Sequence, residues 1–387
     1  MNILVGILSV VLIVLILQDA FETIVLPRRV SRRLRLTRIF YLVMWRLWSS
    51  VGRKIHAANR REYYLGYFGP LSLILLLIIW AMILVFGFSM FQWAIGSPLH
   101  APEGTPSFFT DFYMSGTTFF TLGLGDVTPY TGLSRVLTFI EAGIGFGFLA
   151  LVIGYLPVIY QSFSRREVNI SLFDAHAGSP PTAAEFLRRH AHSNTMEELV
   201  QILREGERWA ADMMESQLSY PVLMYYRSQH ERQSWVAGLT TLLDVCSLVL
   251  AGVDGIPAKP AWFTFAMTRH AAVDLSQVFN AKPFDCTTNR LPQAEFERLS
   301  EFLAAAGITI KTGKETMQKL NELRREYEPY VNALSEYLLM PLPAWIAETR
   351  TSDDWQTSAW EHSDRVPSVG ADLSSTLPIY QPGKRGR

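Results

Sequence analysis

The decapeptide TTFFTLGLGD at residues 117–126 alternates two glycines with leucines and ends in an aspartate. Glycine adopts backbone dihedrals that are closed to other residues, so alternate glycines let successive carbonyl groups point the same way. We therefore expect the carbonyl oxygens of residues 121–124 to form a stack, with Leu122 and Leu124 packing outward against a preceding helix. Repeated about a symmetry axis, such a stack can replace the hydration shell of a monovalent cation.

The elements that must position this peptide are membrane helices. A bilayer is crossed by about 20 apolar residues in a helix, and three stretches meet that length, at residues 3–26, 68–95 and about 136–163. The first lacks a basic leader and a small-residue cleavage site, so we expect it to be retained.

Charge along the chain sets the expected orientation of these helices. Residues 28–61 contain eleven Lys or Arg and no acid, whereas residues 96–134 contain three acids and no Lys or Arg. Basic loops stay in the cytoplasm, so the sequence predicts an external N-terminus and a cytoplasmic C-terminus.

Two features near the basic segment allow two interpretations each. Asp19 and Glu22 lie on one helix face, where they either pair with a neighbouring helix or lie at headgroup depth beside Arg28 and Arg29. The amphipathic stretch RIFYLVMWRLWSSVGRKI either lies in the inner membrane interface or contacts another part of the protein.

The external loop contains its own buried element. SFFTDFYMSGTTFFT places aromatic residues in helical register after Ser107, which is a suitable N-cap. A short apolar helix between two spanning helices is re-entrant, and irregular backbone at that depth must be buried or line a watery cavity.

Residues 117–128, in this setting, resemble the pore signature of the potassium channel superfamily. The resemblance implies that Thr121, Leu122, Gly123, Leu124 and Gly125 form a selectivity filter for K+, with Asp126 at its outer mouth. It also implies that Thr121 supplies carbonyl and hydroxyl ligands, and that Thr117 and Thr118 end the pore helix and support the filter.

The sequence departs from that family at two filter positions. Leu122 replaces the usual valine, and Leu124 replaces an aromatic residue that commonly bonds to the pore helix in the family. We expect potassium selectivity, with a weakly selective cation channel as the alternative. A membrane-tethered sensor with a non-conducting pore is the rival from another class.

The third span contains candidate flexure points and one acid. Gly145 lies where inner helices of similar channels bend, and Pro157 cannot donate its backbone hydrogen bond; close packing is the alternative role for Gly145. Glu141 needs a partner at membrane depth, and Thr117 or Thr118 is the expected one. Glu141 then either braces the filter or makes a purely structural hydrogen bond.

The C-terminal half is predicted to be a helical cytoplasmic domain. Residues 235–253 are apolar enough to suggest a fourth span, but Asp244 lies at their centre, so we expect a buried central helix. No motif for a nucleophile, a phosphate cradle or a metal site is present, so we expect no enzymatic activity, no cofactor and no metal beyond permeant K+.

The sequence as a whole predicts an all-α membrane protein with three transmembrane helices, a re-entrant pore helix with a selectivity filter, and a helical cytoplasmic domain. One pore loop cannot enclose an ion, so we expect a homotetramer in the bacterial inner membrane. Its expected partners are the bilayer, with anionic lipids at residues 28–61, and a cytoplasmic ligand, but no nucleic acid. The expected segments are an N-terminal transmembrane helix (1–27), a basic segment (28–66), a pore domain (67–163), a linker (164–181), a helical domain (182–350) and a disordered tail (351–387).

Overall fold

The structure, a computed structural model, describes residues 2–26, 35–102, 104–191, 196–229, 233–285 and 289–347. The predicted tail at 351–387 and residues 28–34 of the basic segment lie outside these residues. Within the described ranges the chain is helical apart from two short strands, β1 (Leu99–His100) and β2 (Thr128–Pro129).

Four helices flank the glycine-alternating peptide (residues 121–126) or pack against those that do. These are α1 (Ile3–Ile24), α4 (Phe68–Ala94), the short α5 (Phe108–Phe119) and the long α6 (Gly132–Ala177). Helix α5 begins after Ser107, as the sequence predicts, and the Ser107 N–H donates to Thr110 Oγ1 at 3.1 Å. Strands β1 and β2 pair antiparallel, so they close the base of the loop that contains α5.

The remaining helices precede α4 or follow α6. Before α4 lie α2 (Leu36–Gly52) and α3 (Ala58–Gly66). After α6 come α7 (Ala183–Arg189), α8 (Met196–Ser219), a 3-10 helix (Pro221–Tyr225), α9 (Trp235–Gly252), α10 (Ala258–Val278), α11 (Gln293–Ala305) and α12 (Lys314–Leu338).

Four described helices are long and apolar enough to cross a membrane: α1, α4 with the preceding α3, α6, and α9. Helix α9 differs from the other three because all its residues from Trp235 to Ala251 are buried by other helices. Its Asp244 carboxylate accepts hydrogen bonds from Arg290 at 2.7 Å and from the Tyr327 hydroxyl at 2.5 Å. The prediction of a buried central helix is therefore confirmed.

A buried polar cluster joins α1, α2 and α4. The Asp19 carboxylate accepts from the Trp80 indole N–H at 3.0 Å and from the Thr37 hydroxyl at 2.6 Å. The Arg35 guanidinium lies 3.6 Å from Asp19 and 3.4 Å from Glu22. The two acids of α1 therefore pair with the segment that begins α2, which is the first of the two interpretations of these residues.

Helix α2 contacts the C-terminal half through one face. Trp45 is buried in the same hydrophobic core as helices α7–α12, and its indole N–H donates to the Tyr337 carbonyl at 2.9 Å. The opposite face exposes Ile39, Val43 and Leu47. Contact with another part of the protein, the second interpretation of this amphipathic stretch, is therefore confirmed. The predicted separation of the basic segment (28–66) from the helical domain (182–350) is wrong, because both contribute to one core.

The linker predicted at 164–181 is also wrong over most of its length. Helix α6 continues without interruption to Ala177. Its last turns are polar on one side, but Ile170, Phe173 and Ala177 are buried in the core of the C-terminal half. That tertiary contact stabilises a helix where the local sequence favours a loop.

Candidate functional site

The backbone after α5 has the alternating conformation that the glycine spacing predicts. Positive φ values occur at every second residue, 58° at Thr121, 55° at Gly123 and 81° at Gly125. Such values are readily adopted by glycine but cost energy at threonine. No described residue donates a hydrogen bond to the carbonyl oxygens of residues 121–124. These oxygens are therefore free to bind a ligand.

The end of α5 holds the start of this peptide through backbone bonds. The Thr117 carbonyl accepts from the Leu122 N–H at 2.7 Å and from the Gly123 N–H at 3.3 Å, and the Thr118 carbonyl accepts from the Thr121 N–H at 3.0 Å. The carbonyl oxygens of Thr117 and Thr118 thus contact the filter peptide. The Thr117 hydroxyl donates to the Met114 carbonyl at 2.9 Å.

The side chains of Leu122 and Leu124 do not pack as expected. Both are 63% exposed in the single subunit. The expected packing against the pore helix of the same chain is therefore wrong. The reason is geometric, because the filter peptide lies along the outer surface of the subunit, where all of residues 121–126 are exposed.

A side-chain bond that the sequence did not indicate holds the C-terminal end of the glycine-alternating peptide. The Tyr113 hydroxyl, on α5, donates to the Asp126 carboxylate at 2.8 Å. The other Asp126 oxygen accepts from the Val127 N–H at 3.0 Å. Tyr113 therefore links α5 to Asp126, the last residue of the glycine-alternating peptide. An aromatic side chain 13 residues before the aspartate was the only signal, and it is not specific.

Glu141 is fully buried, as its position at membrane depth implies, but its partner differs from the prediction. The Glu141 carboxyl group contacts the Ser115 hydroxyl, and the same hydroxyl lies 2.9 Å from the Val85 carbonyl of α4. Ser115 shares a face of α5 with Phe119, four residues on, and both are buried. Among the described residues neither Thr117 nor Thr118 bonds to Glu141, so the expected pairing with them is wrong.

The inner-helix glycines divide into two kinds. A Cβ built at Gly145 would overlap the carbonyl of Phe119, the last residue of α5, whereas Gly143 and Gly147 have no atom within 4 Å of that position. Gly145 therefore permits close packing of α6 on α5, which is the alternative role given to it above. Helix α6 runs continuously through Pro157.

The C-terminal extension of α6 is attached to the C-terminal half of the chain by Arg166. Its buried guanidinium donates to the Leu223 carbonyl at 2.8 Å and to the Tyr226 carbonyl at 2.9 Å. Glu167 lies 3.0 Å away and partly compensates the charge. Burial lowers the pKa of Arg166 from its ordinary value, because the charged guanidinium loses its hydration. The hydrogen bonds to the two carbonyl groups compensate part of that loss.

Two histidines meet where the end of α6 contacts α7: His176 lies in the last turn of α6, and His190 follows α7. His190 Nδ1 is 2.7 Å from the Phe186 carbonyl, and His190 Nε2 is 3.2 Å from His176 Nδ1. A carbonyl only accepts, so His190 Nδ1 carries a proton, and neutral His190 accepts at Nε2 from the His176 N–H. Burial lowers the pKa of both imidazoles from the ordinary value.

Comparison with known proteins agrees with this arrangement. The family model described as Ion channel matches residues 73–161, which is less than a quarter of the chain. These residues run from the start of α4 to the inner part of α6 and contain the whole filter peptide. The match indicates an ion channel domain, which agrees with the resemblance of residues 117–128 to a channel pore signature.

One curated relative extends the similarity beyond the pore. The chain is 23% identical over 211 residues to "Uncharacterized membrane protein YdjJ" from Bacillus subtilis (strain 168), covering 54% of this chain. The match spans 60% of the length of that relative. No solved structure matches the chain. The protein is therefore an all-α membrane protein with an ion channel domain.

Proposed function

We propose that four copies of this chain form a potassium-selective channel. The single observation that carries the proposal is the backbone of residues 121–125, where φ is positive at every second residue and the carbonyl oxygens of 121–124 accept no hydrogen bond from described residues. Stacked carbonyls with this freedom are the groups that replace the hydration shell of K+. Thr121, Leu122, Gly123 and Leu124 supply them.

The surface of the subunit supports a closed ring of four. Leu122 and Leu124 are exposed beside the pore, and so are Phe139, Phe146 and Ile153 along α6. A cyclic assembly would bury these faces around one axis, and a single pore loop needs such an axis to surround an ion. The inner helices would then line the conduction pathway below the filter.

In this proposal the C-terminal half biases the gate from the cytoplasm. Helix α6 connects the pore to the C-terminal core without a break, and Arg166 attaches it to the segment around Leu223. The N-terminus lies outside, the C-terminus lies inside, and the bacterial inner membrane is the expected location. Gly145 and Pro157 are the proposed flexure points of the inner helix. Close packing on Phe119 is the alternative role of Gly145.

Reconstituted flux tests this function. Full-length protein in liposomes should pass K+ with a reversal potential near the potassium potential under a K+/Na+ gradient, and Gly123→Ala should abolish the flux. Gly104→Ala is the matched control, because Gly104 also has positive φ, 88°, with no atom near a built Cβ. A reversal potential near zero would replace this proposal with the weakly selective cation channel.

Absence of flux in the wild type would favour the rival from another class, a membrane-tethered sensor with a non-conducting pore. Tetramer formation is tested separately by the mass of the detergent-solubilised complex. A monomer would contradict the proposed assembly.

A further inference from the structure

A cavity of about 490 Å³ lies where the pore helices meet the C-terminal half. Its lining comes from α1, α2, α4 and α6, and from α8, the 3-10 helix, the end of α10 and α12 in the C-terminal half. The volume is within the roughly 300–1,000 Å³ that is typical of small-molecule sites. One occupant would therefore contact both the inner helix and the C-terminal core.

The described lining of the cavity has an apolar and a charged part. Leu73, Leu76, Tyr155 and Val222 are apolar and buried. The charged side chains among the described lining residues are Arg35, Arg38 and Glu22. The lining therefore has an apolar part and a net positive part, which is the complement of an anionic amphiphile.

Arg35 and Arg38 differ in whether their positive charge is paired with an acid. Arg35 is ion-paired with Asp19 and Glu22. Arg38 is exposed, and within the described residues it makes no ion pair or side-chain hydrogen bond. Arg38 thus supplies the positive charge that a bound anion would meet.

A buried tyrosine hydroxyl also lies at this site. Tyr41 lines the cavity, and its hydroxyl lies beside the Ser72 hydroxyl, which donates to the Gly69 carbonyl at 3.0 Å. The Tyr41 O–H can therefore donate to an acceptor oxygen of a ligand.

We propose that this cavity binds one anionic amphiphile per subunit, with its apolar chain between Leu73, Tyr155 and Val222 and its anionic group at Arg38. Two sources share this chemistry, a phospholipid of the inner leaflet and a free fatty acid. The position at the cytoplasmic ends of the spanning helices favours the phospholipid. Any effect of binding on conduction rests on the channel function proposed above, but the binding itself does not.

Photoaffinity labelling of the purified full-length protein tests the site without mutating its walls. The probes carry a diazirine on the acyl chain and are a phosphatidylglycerol, a phosphatidylcholine and a fatty acid analogue. We expect phosphatidylglycerol to label peptides containing Tyr155 or Val222 more strongly than phosphatidylcholine does. Stronger labelling by the fatty acid would support the same site with the other source.

Two arginine variants separate this site from general surface charge. Arg38→Gln should reduce phosphatidylglycerol labelling about fivefold, the effect of removing one basic side chain at an anionic surface. Arg46→Gln, an exposed arginine two turns along α2 that does not line the cavity, should leave it unchanged. Equal labelling by the two phospholipids, adducts only outside the cavity, or equal loss in both variants would overturn the proposal. None of these readouts depends on ion flux.

Discussion

The Tyr113 hydroxyl donates a 2.8 Å hydrogen bond to the Asp126 carboxylate. The bond joins the middle of the pore helix to the residue that ends the filter peptide, on the exposed surface of the subunit. Leu124 has no polar atom and cannot make a bond of this kind from within the filter. Tyr113 therefore provides, from the helix side, a link between pore helix and filter.

Removing that link should loosen the filter. Tyr113→Phe loses one hydrogen bond to a charged group, and we expect the K+/Na+ permeability ratio to fall about fivefold. Bi-ionic reversal potentials measure it. Tyr130→Phe is the control, because that exposed external tyrosine has no side-chain hydrogen bond with described residues. An unchanged ratio in Tyr113→Phe would show that the bond does not support the filter.

The close approach of α6 to the pore helix should make Gly145 sensitive to a single methyl group. Gly145→Ala would force a Cβ into the Phe119 carbonyl, and overpacking of this kind costs about 1–3 kcal/mol or more. Thermal unfolding of the detergent-solubilised protein should therefore begin at a lower temperature. Gly143→Ala, which meets no atom within 4 Å in the subunit, is the control. Equal unfolding temperatures would mean that the two helices do not touch there.

The Arg166 contacts should hold the segment after α8 against the inner helix. In Arg166→Ala the carbonyls of Leu223 and Tyr226 lose charge-assisted bonds, each worth about 1.5–3 kcal/mol. Amide hydrogen exchange of peptides covering residues 221–226 should accelerate by tenfold or more. The neighbouring Arg165 is exposed, and Arg165→Ala should leave exchange unchanged. Unaltered exchange in both variants would rule out Arg166 as the attachment.

Low pH should destabilise the contact between the end of α6, which carries His176, and the end of α7, which is followed by His190. The folded state lowers the pKa of both imidazoles, so the unfolded chain binds more protons once the pH falls below about 6.5, the ordinary histidine value. Stability is therefore fully present above that pH and is lost below it. Glu198 and Glu205 oppose this effect and Arg189 adds to it. Protonation of His190 Nε2 also removes the acceptor for the His176 N–H.

Thermal unfolding at pH 7.5 and 5.5 measures this effect. The unfolding temperature of the wild type should fall on acidification, and His176→Gln should reduce the fall. His56→Gln changes an exposed histidine and should not. A fall of the same size in all three proteins would place the titrating groups elsewhere.

The helices and the glycine-alternating peptide of the proposed pore could be predicted because the sequence signals for them are local. Apolar length, the N-cap at Ser107 and the glycine alternation each depend on a few neighbouring residues, and the helices and positive φ values follow them. The partner of Glu141 could not be predicted in the same way. Ser115 and Thr118 are less than one turn apart, and only the packing of three helices decides which of them faces α6.

The extent of α6 was missed for a related reason. Residues 164–177 are polar overall, and their helical conformation depends on burial of Ile170 and Phe173 against residues distant in sequence. Tyr113 and Arg166 belong to the same group, because each acts through a partner that lies far along the chain or in a loop. Long-range contacts of this kind leave no pattern in the residues around them.

The continuity of α6 also restricts how this chain can change in length. The helix has 46 residues, about 69 Å at 1.5 Å per residue, and each residue turns the chain by about 100°. One residue inserted between Pro157 and Arg166 would rotate the Arg166 guanidinium by that angle relative to the filter and detach it from its carbonyl partners. An insertion of seven residues, close to two full turns, would return the Arg166 guanidinium to its original direction about the helix axis. Relatives that keep this junction should therefore vary in length here by about two turns or not at all.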